Sequence, residues 1–214
     1  MPIMNDKVTY TGLDIRPPVT LQMTVSKEKI LSAKGKFGQT VGTQTVDNVR
    51  WGLEVHVCPP DQIDCATTQF ALSIVVSSDR GNSRWIITVN FESYYVSPAP
   101  ASFQQELFKF GSETDVVVNI TISDGQVSVV ANGRPVVVTD TFKKVGQIRT
   151  LKANNYFYDT AGAEITEFGA SDLVYNVTIL KGFDIGAILN VVIPLVVTSS
   201  VLSIIPRLLA RLRV

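Results

Sequence analysis

The sequence predicts an all-β chain: an antiparallel two-sheet sandwich followed by one C-terminal transmembrane α-helix. Three observations carry this reading. Short runs of alternating apolar and polar residues recur at roughly ten-residue spacing between Val19 and Leu180, the period of half-buried strands. Turn-forming pairs, Asp124-Gly125 and Asn132-Gly133 among them, separate the runs. The 22 residues from Ile185 to Pro206 then contain no Asp, Glu, Lys, Arg or His.

Taken in order, residues 1–18 read as an irregular N-terminal arm. Pro17-Pro18 ends it, because two prolines fix φ and remove two amide donors. "VTLQMTV" (19–25) places Val19, Leu21, Met23 and Val25 on one face and Thr20, Gln22 and Thr24 on the other. "VRWGLEVHV" (49–57) turns Val49, Trp51, Leu53, Val55 and Val57 inward, and Arg50, Gly52, Glu54 and His56 outward. "QFALSIVVS" (69–77) and "RWIITVNFE" (84–92) repeat the pattern, with Phe70, Leu72, Ile74 and Val76, then Trp85, Ile87, Val89 and Phe91, facing in. "SDRGNS" (78–83) links them as a turn, and "YYVSPAPASF" (94–103) reads as a proline-interrupted loop. "FQQELFKF" (103–110) is compatible with a short helical turn or an irregular edge.

The clearest stretch is "DVVVNITISDGQVSVVANGRPVVVTDTF" (115–142). Its two X-Gly pairs tolerate the positive φ of tight hairpins, so it reads as an antiparallel meander. "GQIRTL" (146–151) adds a strand, and "DLVYNVTIL" (172–180) is the last, with Leu173, Tyr175, Val177 and Ile179 inside. No helical periodicity of useful length precedes residue 185. The domain reading is therefore arm 1–18, sandwich 19–181, membrane-spanning helix 182–206 and basic tip 207–214.

Within that meander, "VVNITISDGQVSVVANGRPVVV" resembles the hairpin run of concanavalin-like lectin and laminin-G sandwiches. A jelly roll, as in many virus capsid proteins, is equally compatible with it. The resemblance implies a sandwich and a lectin-like, glycan-binding role. Glucanases of the lectin-like fold carry an E-x-D-x-E strand; this chain has only "EITE" (164–167), whose two carboxylates fall on opposite faces of a strand. The resemblance therefore does not imply a hydrolase.

Composition narrows the function. The chain has 214 residues, 19 basic and 19 acidic, and a formal net charge of zero, so long-range attraction for nucleic acid or anionic lipid is excluded and any such contact is local. Charged residues make up 18%, against about 25% in ordinary domains. The start "MPIMNDKVTY" has no apolar core of a secretory signal, so the chain reads as made in the cytosol and inserted by its tail. As a helix, 22 residues span about 33 Å, against a hydrocarbon core of about 30 Å. The side chains expected to meet lipid are Ile185, Ile188, Leu189, Val192, Ile193, Leu195, Val196, Val201, Leu202 and Ile205. Arg207, Arg211 and Arg213 follow as anchors that snorkel to the interface, or as contacts for genome phosphates.

Reactive groups cluster only in "HVCPPDQIDC" (56–65). A Cys58–Cys65 disulfide closing an eight-residue loop would contribute about 2.5 kcal/mol in the chain-entropy account. Two free thiols, or a metal site of His56, Cys58 and Cys65 with Asp61 or Asp64, are the alternatives, though the spacing matches no usual zinc pattern. His56 is the only histidine and reads as a solvent-face strand residue. No G-x-S-x-G, H-E-x-x-H, P-loop or dinucleotide motif occurs, and no cofactor is expected. Asn119 and Asn176 stand in glycosylation sequons on the polar phase of their strands. Tyr94, Tyr95, Tyr156, Phe157 and Tyr158 fall in loop-like stretches, as in a contact surface. The leading expectation is a non-enzymatic, membrane-anchored structural protein, a capsid or vertex or surface-array protein of a membrane-containing virus. Its partners would be lipid and copies of itself or other shell proteins. The alternative is a cell-surface lectin-like module that binds glycans.

Overall fold

A computed structural model describes residues 3–4, 9–58, 68–96, 102–166, 168 and 173–181. In chain order the strands are β1 (Ile3–Met4), β2 (Thr9–Tyr10), β3 (Val19–Val25), β4 (Thr40–Val41), β5 (Gln44–Val57), β6 (Gln69–Asp79), β7 (Arg84–Phe91), β8 (Ser102–Lys109), β9 (Val116–Ser123), β10 (Gln126–Ala131), β11 (Arg134–Thr139), β12 (Ile148–Ala153), β13 (Tyr156–Asp159), β14 (Glu164–Ile165) and β15 (Tyr175–Lys181), with one helix, α1 (Lys27–Lys34). They form two sheets. The smaller runs β1-β15-β3-β9-β10-β11; the larger runs β14-β13-β5-β6-β7-β8, with β12 joining β2 and β5, and β4 pairing with β5. Every pairing with a stated register is antiparallel.

The alternating runs place their apolar phase between the sheets. Leu21, Met23, Ile120, Ile122 and Val129 of the smaller sheet pack in one buried core with Trp51, Leu53, Ile74, Trp85 and Ile87 of the larger. The Trp51 and Trp85 rings lie 5.8 Å apart, and Phe110 stands 5.5 Å from Trp85. Asn132 (φ 48°) and Gly133 (φ 77°) both take the left-handed conformation that a two-residue hairpin turn needs between β10 and β11.

Four features refine or depart from the sequence reading. The described part of the arm carries short paired pieces within its otherwise irregular course: β1 pairs with β15, β2 pairs with β12, and Ile15 bridges to Ile148. Residues 102–109 are not helical: β8 is a strand at the edge of the larger sheet, and its register on β7 shifts between Trp85 and Ile86. A helix does precede residue 185. In α1 only Ile30 and Ala33 of eight residues are buried, which is too few to leave an apolar stripe in the sequence. Phe70 does not face in. The β5–β6 register shifts between Val55 and His56, so Phe70 pairs with His56 and shares its outer face.

The chain divides into two units, Met1–Leu180 and Lys181–Val214. The expected membrane helix with its ten lipid-facing residues, and the basic tip of Arg207, Arg211 and Arg213, lie outside the described residues. Among the described residues no helix is long and apolar enough to cross a membrane.

Candidate functional site: the outer face of the larger sheet and its end cleft

The outward phase of β5 builds this face. Cross-strand pairing sets a continuous rung of Lys152, Glu54, Ser73, Asn90 and Ser102 across β12, β5, β6, β7 and β8. Glu54 is its charged hub. His56 Nε2 donates to Glu54 Oε2 at 3.1 Å, Lys152 Nζ stands 3.6 Å away, and Asn154 Nδ2 donates to Oε1 at 3.1 Å. Burial pushes the Glu54 carboxyl up, but the His56 hydrogen bond, Lys152 and Asn154 together outweigh it and hold the group below its ordinary value. Further along the rung, Ser102 Oγ donates to Asn90 Oδ1 at 2.8 Å. A polar, self-satisfied surface results, with hydroxyl and amide groups in register.

At the β6 end the face opens into a cleft of about 490 Å³ lined by Gln69, Phe70, Glu92 and Tyr94. That volume lies within the roughly 300–1,000 Å³ of small-molecule sites. Its walls are fixed from behind. Tyr95, which the sequence placed in a loop contact surface, is instead fully buried, with its ring stacked on Phe142 at 5.7 Å. Its hydroxyl donates to Gln69 Oε1 at 3.1 Å, so the Gln69 amide nitrogen is the end left to donate to a ligand. Burial, with Tyr94 and Glu92 close by, pushes the Tyr95 phenol up and keeps it the donor. Tyr94 remains 54% exposed, its ring edge-on to Tyr95 at 5.1 Å and capped by Lys143 Nζ at 3.7 Å. The Phe70 ring meets His56 edge-on at 5.9 Å and joins the cleft to the Glu54 rung.

The other residues singled out in the sequence fall elsewhere. Cys58 is buried just past the end of β5, off the outer face on which His56 stands. It is disulfide-bonded; the chain's other cysteine, Cys65, lies outside the described residues, as do Asp61 and Asp64. Among the described residues no group of three or more His, Cys, Asp or Glu is placed to hold a metal ion. Asn119 is half-buried on the outer face of the smaller sheet, where its Oδ1 accepts from Gln22 Nε2 at 3.0 Å, and Asn176 is exposed on β15. Tyr156, Phe157 and Tyr158 are not loop residues: they form β13, with Phe157 buried and Arg50 lying 4.4 Å over the Tyr158 ring. Glu164 sits in β14 opposite Tyr158, and Glu167 lies outside the described residues. Sequence reading missed Phe70, Gln69 and Glu92. The register shift that turns Phe70 outward leaves no mark in the alternation, whereas the Tyr94-Tyr95 pair next to a proline-rich stretch was a usable signal.

No family model and no curated protein matches the chain. Solved structures do resemble it. Sheep galectin-11 in complex with glycerol matches at a TM-score of 0.39 and 7% identity, over 84% of this chain and 99% of that one. A toad ovary galectin in complex with thio-digalactose matches at 0.42 and 13%, over 83% and 100%. The PL7 alginate lyase AlyA1 from Zobellia galactanivorans matches at 0.42 and 15%, over 82% and 63%. These are concanavalin-like sandwiches, the class that the 115–142 run resembles. Likenesses of this size assign neither ligand nor chemistry.

Proposed function

We propose that the chain is a non-catalytic carbohydrate-binding module held at a membrane by its C-terminal segment. The cleft of Gln69, Phe70, Glu92 and Tyr94 carries the reading. A sugar ring offers C–H faces, which suit aromatic walls, and hydroxyls, which suit an amide donor and a carboxylate acceptor. The cleft supplies both kinds of group, on a shelf fixed by the buried Tyr95. Its formal charges balance, Glu92 against Lys143 over Tyr94, which favours a neutral ring over an ion. The segment Ile185–Pro206, uncharged over 22 residues, supports the anchor.

A second reading, a shell protein of a membrane-containing virus, draws on a different surface. Strands β3, β9 and β10 of the smaller sheet contain no charged residue, and their outward side chains include Thr20, Gln22, Thr24, Asn119, Thr121 and Ser128. Depletion of charge is a mark of interface cores, and this face suits packing against copies of the chain.

A glycan array probed with the full-length chain in detergent separates the two. The module reading expects saturable, sugar-specific binding that drops at least about tenfold in Tyr94→Ala, the loss of one aromatic wall. Absence of any glycan binding, with ordered arrays forming on membranes instead, would replace it with the shell reading.

A further inference from the structure

The outer face of the larger sheet carries a second feature, midway along β5 and six residues from His56 at the cleft. Arg50 projects outward opposite Ser77 on one side and Tyr156 on the other. Its guanidinium lies 4.4 Å over the Tyr158 ring, and Tyr156 stands edge-on to Tyr158 at 5.9 Å. Three other cations on and around this sheet are paired with carboxylates: Arg80 with Asp47 at 2.7 Å, Arg84 with Asp79 at 2.7 Å, and Lys152 with Glu54 at 3.6 Å. Arg50 is exposed, and among the described residues no carboxylate stands within ion-pair distance of it. Stacking uses the flat face of a guanidinium; Arg50 also hydrogen-bonds the Tyr158 hydroxyl, and the N–H groups that remain on its edge are able to take an anion. The tyrosine also removes part of the ordering cost, because it already holds the group in place.

From Arg50 to His56, which touches the Phe70 wall of the cleft, is six residues along one strand, or about 20 Å. Between them lies the Glu54 rung, whose charge is already matched by Lys152 and whose two oxygens each accept a bond, from His56 and from Asn154. An anion is therefore welcome at Arg50, whereas Lys152, the cation of the Glu54 rung, is already paired.

Resting on the carbohydrate reading above, we propose that Arg50, seated on Tyr158 beside Tyr156, is an anion subsite that reads a carboxylate or sulfate on an extended oligosaccharide whose neutral ring fills the Phe70–Tyr94 cleft. The ligand class is thus an acidic glycan spanning about 20 Å, with its charge at one end of the bound stretch.

The test uses the full-length chain in detergent and matched oligosaccharides of one backbone: neutral, terminally carboxylated and terminally sulfated. Titration is expected to show the acidic forms binding about tenfold tighter than the neutral one, an advantage that shrinks as salt rises. Whichever of the two acidic forms keeps the larger advantage is the anion the subsite reads. Arg50→Ala is expected to erase that advantage and leave neutral binding unchanged, whereas Arg50→Lys keeps part of it. Equal binding of acidic and neutral forms by the unaltered chain overturns the subsite while the carbohydrate reading stands. So does an Arg50→Ala chain that keeps its acid preference, or one that loses neutral and acidic ligands alike. If no oligosaccharide of any kind binds, both proposals fall together.

Discussion

Gly52 shows how one residue sets the internal geometry of the sandwich. It lies in mid-β5, and its carbonyl accepts from the Asn154 amide at 2.9 Å and from the Tyr175 hydroxyl at 2.7 Å. Its own amide donates to Asn155 Oδ1 at 3.0 Å, and Asn155 Nδ2 donates to the Leu173 carbonyl at 3.3 Å. Tyr175 belongs to β15 of the smaller sheet, so this buried network crosses the core from one sheet to the other. A Cβ at position 52 would stand 2.6 Å from the Asn154 carbonyl oxygen, closer than non-bonded carbon and oxygen approach. Backbone would have to shift, so Gly52→Ala is expected to cost about 2–3 kcal/mol. Tyr175→Phe removes one hydrogen bond and leaves the Gly52 carbonyl its Asn154 partner, for about 1 kcal/mol. Urea unfolding of the two variants checks the order. A Gly52→Ala protein as stable as the parent would mean that the Asn154 chain does not approach β5 this closely.

At the scale of elements, α1 is tied down by a loop distant in sequence. Ser26 Oγ caps it by accepting from the Lys29 amide at 3.4 Å, and Asp115 Oδ1 accepts from the Lys27 amide at 2.7 Å, where the helix dipole favours negative charge. At the other end Lys34 donates to the buried Glu113, which also accepts from the Gly111 amide at 2.9 Å. Burial pushes the Glu113 carboxyl up, but Lys34 and the backbone donors overcome it and draw it from 4.5 down to about 2. A carboxyl depressed in the folded state stabilises fully above its unfolded value near 4.5. That contribution is lost as pH falls toward 2. Glu113→Gln is therefore expected to lower stability by about 2 kcal/mol at neutral pH and by progressively less between pH 4.5 and 2. Urea midpoints of parent and variant across that window check it; a gap that stays constant with pH would rule out the titration of Glu113 as its source. Asp79, drawn down by Arg84, is present in both proteins and cancels from the comparison.

Alternation located the strands because Val19–Val25 buries every second residue, and Asn132-Gly133 fell where the hairpin turns. Period-2 reasoning fails at a register shift, which moved Phe70 to the outer face and built the cleft wall. It also fails for a helix held by Asp115 and Glu113 rather than by an apolar stripe. Arg50 and Glu54 could be placed on the outer face from the pattern of β5, but their partners Tyr158, Lys152 and Asn154 come from about 100 residues further on. At the scale of the whole chain, the proposed anchor is a matter of solvation alone. Thirteen of the residues from Ile185 to Pro206 are Ile, Leu or Val, together worth about −4 to −8 kcal/mol for insertion. Asn190, Pro194, Thr198 and the serines offset part of that. Two arginines at the centre, Leu195→Arg with Val196→Arg, add about 5–7 kcal/mol and bring the sum near zero or above. The full-length chain is thus expected to stay with membranes through alkaline extraction, and the double variant to be released with the near-ultraviolet circular dichroism of its sandwich unchanged. A parent chain released as readily as the variant would leave that apolar run to be sheltered by other copies of the protein rather than by lipid.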